Sequence, residues 1–255
     1  MTAPADISVR EAAEYPNSFI PLGKGDERIE TDRYTLCLSL GATVQRQRFE
    51  AERVDEVLAE VRGLLRARGR TGTQWEVGSQ AAHLVGPLLR RGLVRDADPR
   101  AIALALQHEP PAPPPAFTVR RASTLEEYLR AAVVQAEAFG ASPEEAAAHR
   151  DGLERRWTDS PFVMHAVWAG EEIVGAGACS LTPVGLALFG GAVLARARGR
   201  GAYRALIAER WKHAVAVGRP ALVTQAGSMS GPILERLGFE AVGRVEMLRD
   251  ELIDD

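Results

Sequence analysis

The sequence predicts an α/β (α+β) protein in which a mixed, largely antiparallel sheet is flanked by helices and two similar halves follow one another. Three observations carry that prediction. The 255 residues exceed the usual size of one domain and suit two units of about 100 to 150 residues. EPPAPPPA, Glu109 to Ala116, is a polyproline-type spacer that can neither continue a helix nor donate to a sheet, so it separates residues 1–108 from 117–255. On both sides of it β-type runs alternate with helix-type segments. GPLLRRGL, Gly86 to Leu93, is also echoed by GPILERLGF, Gly231 to Phe239, with agreeing strands around each, which points to a duplication.

In the first half a helix is expected from about Glu52 to Arg68, then a strand TQWEV, the helical GPLLRRGL and a strand AIALAL. After the spacer, FTVRR alternates as a short strand. Ser123 and Glu126 have the spacing of a capping box, and Ser142, Pro143 and Glu145 open a second helix toward Trp157. FVMHAVWA, IVGAGACSLT and GLALFGGAVL then form an antiparallel meander with turns at Gly170 and at Thr182 to Gly185. A helix from about Ala202 to Val217, a strand PALVTQA, a helix across Ile233 to Leu237 and a strand near Ala241 to Leu248 complete the order.

Composition narrows the function classes. A net charge of -3 with 25% charged residues gives no general attraction to nucleic acid or anionic lipid, so neither nucleic acid nor membrane is expected as a partner. The uncharged run Gly175 to Ala195 is broken by Pro183 and five glycines and reads as two strands, not as a membrane helix. Cys37 and Cys179 stand far apart, which suits a reducing compartment, and MTAPADISVRE carries Asp6, Arg10 and Glu11 where an export signal needs an apolar core; a cytoplasmic location is the expectation. The histidines show no metal-ligand spacing, so no metal site is expected. Trp157, Trp168 and Trp211 read as core or cleft walls, and GSMSG has Met229 where a nucleophile elbow needs serine.

One cluster stands out. VLARARGRGAYRALI, Val193 to Ile207, places four arginines and two glycines between a strand and a helix. The first N–H groups of such a helix have no intrahelical partner and point where a phosphate can sit; glycines admit it, and arginines add charge-assisted bonds. Two phosphate motifs fail here. There is no Gly-Lys-Ser/Thr, and the dinucleotide pattern begun by Gly199 and Gly201 meets Arg204 at its third glycine and Gln225 where the ribose-binding acid belongs.

The stretch closely resembles the coenzyme A loop of the GNAT superfamily of N-acetyltransferases: Arg or Gln, two residues, Gly, one residue, Gly or Ala, after a strand and opening a helix. Arg198 and Gly201 match it. The resemblance covers the order of elements from Phe117 to about Leu252 and the Leu-Gly-Phe ending of QAGSMSGPILERLGF. It implies a GNAT-like fold and acetyl-CoA as cosubstrate, with a small-molecule or peptide amine as acceptor, in a monomer or homodimer. It further implies that main-chain groups of Gly191, Ala192 and Val193 hold the pantetheine arm and acyl carbonyl. The diphosphate falls to Arg198, Gly199, Arg200, Gly201, Ala202, Tyr203 and Arg204, and Ser228, like Ser230, lies within reach of the thiolate.

Two departures matter. Tyr203 replaces a second Gly or Ala, and Leu234 stands where many relatives carry the tyrosine that protonates the thiolate. No general base is assigned; Glu137, His149 and His165 are the candidates. The first half enters its corresponding helix through RQRFEAERVDEV, without glycine and with Glu50 and Glu52 where a diphosphate would approach, so it reads as a degenerate copy. The alternative to an amine acetyltransferase is a non-catalytic acyl-CoA binding or regulatory module.

Overall fold

The computed structural model describes residues 7–39, 41–142, 144–145 and 150–252. In chain order the elements are α1 (Val9–Glu14), β1 (Glu27–Glu30), β2 (Thr35–Leu38), β3 (Ala42–Gln45), α2 (Val54–Arg66), β4 (Gly72–Gly78), α3 (Val85–Arg90) and β5 (Val94–Leu106). After the linker come β6 (Thr118–Arg121), α4 (Leu125–Ala138), α5 (Arg150–Asp159), β7 (Val163–Ala169), β8 (Glu172–Leu181), β9 (Leu186–Val193), α6 (Ala202–Ala216), β10 (Leu222–Ala226), α7 (Gly231–Glu235) and β11 (Glu240–Glu251).

The halves repeat one plan. β1-β2-β3 and β7-β8-β9 are antiparallel meanders; β3 then pairs parallel with β4, and β9 with β10. Parallel neighbours need a crossover, which α2 and α6 supply. The echoing glycine-proline segments are the short helices α3 and α7, each leading into the last strand of its half.

Those last strands are exchanged. Among the described residues the single sheet runs β1-β2-β3-β4-β11-β5-β10-β9-β8-β7-β6, so β11 lies between β4 and β5, and β5 between β11 and β10. β11 meets β4 from Val245↔Gly78 to Glu251↔Gly72, while β5 meets β10 from Leu222↔Leu106 to Ala226↔Ile102, all antiparallel. The linker marks a boundary in the chain, and the sheet runs on past it.

Each crossover helix buries one face. On α2, Val54, Val57, Leu58, Val61 and Leu65 fall at helical spacing and pack on Leu36, Val44, Trp75 and Val77. On α6, Ile207, Trp211 and Ala214 pack on Cys179, Leu188 and Leu222, while Ala202, Ala205 and Leu206 meet Val167, Val174 and Val193. α4 covers the opposite face of β7 and β8. In mid-sheet, Ala12 and Ala13 of α1 rest on Ala103, Ala105, Ala187 and Val223, small residues that let a helix lie close.

The helix starts refine the sequence reading. α4 is capped one residue later than expected: Thr124 accepts the Glu127 N–H at 3.2 Å, and the Glu127 carboxylate accepts the Ser123 N–H at 2.9 Å. Two such spacings overlap in Ala-Ser-Thr-Leu-Glu-Glu, and the extended backbone of Thr124 selects the second. The Ser142 and Glu145 box forms as read, with each N–H donating to the other side chain. Pro143 and His149 lie outside the described residues. The uncharged run is β8 and β9 with a turn between them, and among the described residues no helix is long and apolar enough to cross a membrane.

Candidate functional site

The site is built where β9 and β10 part. Their parallel pairing covers Leu222↔Leu186 and Val223↔Ala187, and the Thr224 hydroxyl reaches the Leu188 carbonyl at 3.2 Å. Beyond that point β10 has no register partner on β9. Against β8, Ala178 pairs with Phe189 and Ala176 with Ala192, so β9 carries one residue more than β8 between these pairs. The bulge is Gly190–Gly191. Gly190 takes a φ of 55°, a value glycine adopts readily, and its carbonyl accepts the Gln135 amide of α4. The Leu194 N–H donates to Val174 at 2.9 Å, so by ladder alternation the main-chain groups of Val193 point away from β8, toward the gap. Of the three residues the sequence reading assigns to the pantetheine arm, Gly191 and Val193 thus lie on the gap wall, whereas Ala192 faces β8.

Gly199 and Gly201 both have positive φ, 72° and 90°, and α6 begins directly after them. The open space beside them is unequal. Nothing lies within 4 Å of a Cβ added at Gly199, but at Gly201 it would overlap the Pro114 ring of the linker. Room at Gly201 therefore goes to the linker, which braces the loop from one side.

The arginines likewise divide. Arg196 pairs with Glu172 and lies 3.8 Å from Glu137. Arg198 is tied down, donating to the carbonyls of Val193 at 2.9 Å and Ala138 at 3.1 Å; it fastens the loop to β9 and α4 and is not a mobile phosphate ligand. Arg200 stacks 5.8 Å from the Phe117 ring, and it and Arg204 are exposed at the helix start with no ion pair among the described residues. Tyr203 turns inward. Its ring packs beside Gly191, leaving the helix start clear, and burial pushes its phenol pKa up against an opposing pull from Arg210.

The remaining sequence candidates separate in space. Leu234 is 2% exposed, in the core with Ile207 and Phe239. Ser228 sits on a turn held by Asp98 of β5, whose carboxylate accepts its N–H at 3.2 Å. Glu137 is beside Arg196. His165 is buried on the α6 face of the sheet, and burial first, then Arg210, His213 and Arg121, push its pKa down to about 3, too low for a base at neutral pH. On the opposite face a cavity of about 470 Å³ reaches Gly190 and is lined chiefly by apolar groups, among them Tyr128, Phe139, Phe162 and Phe189, with Glu145 its carboxylate among the described lining residues. Sequence reading missed this cavity because its wall is assembled from α4, α5 and three strands.

It also missed a cluster: His165, Cys179 and His213 bring their ligand atoms within 4.8 Å of one another.

The matching gap of the first half is closed. β3 and β4 pair at Thr43↔Gln74 and Val44↔Trp75, and beyond them the buried Gln47 amide bridges the carbonyls of Val44 at 2.9 Å and Glu76 at 3.1 Å. Gln45 and Gln225 both donate to the fully buried Glu76 at 2.7 Å, and burial raises the pKa of that carboxyl.

No family model matches the sequence, and no curated protein matches it. Among solved structures, a GCN5-related N-acetyltransferase from Kribbella flavida superposes with a TM-score of 0.71 at 17% identity, over 96% of this chain and 95% of that one. A functionally unknown conserved protein from Staphylococcus epidermidis ATCC 12228 gives 0.69 at 11% identity, over 98% and 100% of the two chains. A tandem GNAT protein from the clavulanic acid biosynthesis pathway gives 0.62 at 17%, over 87% and 79%. At such identities the likeness is one of architecture, and it extends across both halves: the chain has the fold of the GNAT superfamily.

Proposed function

We propose that the second half binds acetyl-CoA in the gap between β9 and β10 and transfers the acetyl group to an amine held in the cavity beyond Gly190. The observation that carries this reading is a continuous run of three features: the open gap, the Gly190–Gly191 bulge on its wall, and an α6 start that presents free N–H groups, an open Gly199 and two unpaired arginines. Gly199, Arg200 and Arg204 would hold the diphosphate. The main-chain groups of Gly191 and the N–H of Val193, whose carbonyl is already taken by Arg198, would hold the pantetheine arm and polarise the acyl carbonyl.

The neutral amine attacks the thioester carbon directly, the carbon–sulfur bond breaks and the thiolate leaves, and the proton shed by the nitrogen passes to solvent, from which the acid that protonates the thiolate is restored. With Leu234 in the core, Tyr203 is the hydroxyl we assign to protonating the thiolate, because its ring lies against Gly191. Thiol release with a panel of amines tests the reading. Native protein should release thiol only with amine present, and Tyr203→Phe should lower kcat roughly tenfold or more while leaving acetyl-CoA affinity within threefold. Equal kcat in the two would remove Tyr203 from the chemistry.

A second reading, a non-catalytic acyl-CoA binding module, is favoured by the weak basicity of His165 and the engagement of Glu137 by Arg196. Tight binding with no amine-dependent release across the panel would select it.

A further inference from the structure

His165 on β7 lies opposite Gly177 of β8, Cys179 is two residues further along the same face, and His213 comes down from α6. The Cys179 sulfur sits between the two rings, 3.8 Å from Nδ1 of His165 and 3.8 Å from Nδ1 of His213, and the rings themselves are 5.5 Å apart. We propose that His165, Cys179 and His213 form a three-ligand site for a thiophilic transition-metal ion of the zinc class, with one coordination position left open.

Residue type, geometry and surroundings agree. One thiolate with two imidazoles is a donor set that suits zinc-like ions and disfavours calcium or magnesium. With zinc–sulfur bonds of about 2.3 Å and zinc–nitrogen bonds of about 2.0 Å, tetrahedral geometry puts sulfur and nitrogen roughly 3.5 Å apart, so each sulfur–nitrogen edge needs to close by only a few tenths of an ångström, while the two nitrogens, within 4.8 Å of each other, close to roughly 3.3 Å by rotation of the half-buried His213 ring. The ligands sit on adjacent strands and a packed helix, supports that fix such a geometry better than loops.

Arg210 supplies an independent observation. It lies three residues before His213 on α6, is fully buried, and leaves its Nε and Nη2 without a hydrogen-bond partner. A metal-bound thiolate retains lone pairs that accept N–H groups, so it would give this guanidinium an acceptor. The guanidinium also opposes any cation that does not bring a thiolate with it. Binding is a proton exchange without redox change: the metal–sulfur bond forms, the Cys179 S–H proton passes to water, and both imidazoles ligate in the neutral form.

Cobalt(II) is the probe. The full chain, dialysed against chelator, should take up one equivalent with a thiolate-to-cobalt charge-transfer band in the near ultraviolet, which zinc displaces. The band should persist in Cys37→Ser, vanish in Cys179→Ala and need at least tenfold more cobalt in His213→Ala. His213 is only partly buried, so that variant decides the matter if Cys179→Ala does not fold by circular dichroism. No band in the native chain, or one that survives in Cys179→Ala or is unchanged in His213→Ala, overturns the site.

Discussion

The arginines of the helix start offer the sharpest test of the acyl-CoA reading, because the structure divides them into tied and free. Arg200→Ala with Arg204→Ala removes the two exposed guanidinium groups that have no ion pair among the described residues. A hydrogen bond to a charged group contributes about 1.5–3 kcal/mol, and exposed, salt-screened groups fall at or below the lower end, about 1–1.5 kcal/mol each. The pair should therefore cost about 2–3 kcal/mol, or roughly 30- to 150-fold in Kd at about 1.4 kcal/mol per tenfold. Isothermal titration with acetyl-CoA measures it. Native affinity should also weaken with salt as the screening length shrinks from about 10 Å at 0.1 M to about 3 Å at 1 M, and the double variant should lose most of that dependence. Arg196→Ala is the control, since Glu172 already occupies that side chain. A double variant within twofold of native, or one that loses equally for S-acetylpantetheine, which has no diphosphate, refutes the reasoning. Gly201→Glu would be a poor substitute, because its side chain would collide with Pro114 at a φ of 90° and disturb the fold along with the ligand.

Arg210→Met should raise the Tm of the metal-free chain by at least about 4 °C, because its two unsatisfied buried groups cost about 1–3 kcal/mol each, 1 kcal/mol shifts Tm by about 2–4 °C in a chain of this size, and methionine fills similar volume; a clear fall in Tm would mean that the guanidinium has an acceptor. Gly177→Ala should destabilise, since its Cβ would overlap that guanidinium, and Arg210→Met should restore part of the loss in the double variant. The metal-free chain should weaken in acid through His165: the unfolded imidazole takes a proton below about 6.5, but the folded one only near 3, so stability is fully present above 6.5 and falls across that window. At about 1.36 kcal/mol per tenfold the ceiling is roughly 5 kcal/mol, read from urea unfolding against pH; an identical slope in His165→Asn would exclude this source. Because β5 lies between β10 and β11, fragments 1–108 and 117–255 should each fail to unfold cooperatively alone and regain a shared transition when mixed; two independently cooperative fragments would show the exchange to be dispensable.

Local signals were legible and partners were not. The meander of β7 to β9, helix α6 and the glycine-to-helix junction follow from periodicity and turn chemistry within a few residues, and they stand where the sequence puts them. The exchange of β5 and β11 left no trace, because alternation in AIALAL tells which residues share a face and says nothing of the neighbouring strand. The same limit governs the site. Four arginines read as one positive cluster, yet Glu172, 24 residues from Arg196, and Ala138, 60 residues from Arg198, decide which of them is free. His165, Cys179 and His213 carry no sequence signature because they are 14 and 34 residues apart and meet only through the β7–β8 register and the packing of α6.

The first half shows what such distant contacts do. Its own gap is stitched by Gln47, and Glu50 starts the turn into the helix that follows, so nothing there replaces the loop of the second half. Its strand β5 nonetheless carries Asp98 to the Gly227–Ser228 turn, and the linker that follows β5 sets Pro114 against Gly201. Both contacts fall on the rim of the β9–β10 gap. Shortening the linker or breaking the β5–β10 pairing would therefore change how the helix start is presented without touching any residue of the loop, and the first half belongs to the physical description of the candidate site even though it holds none of the groups proposed to face the diphosphate.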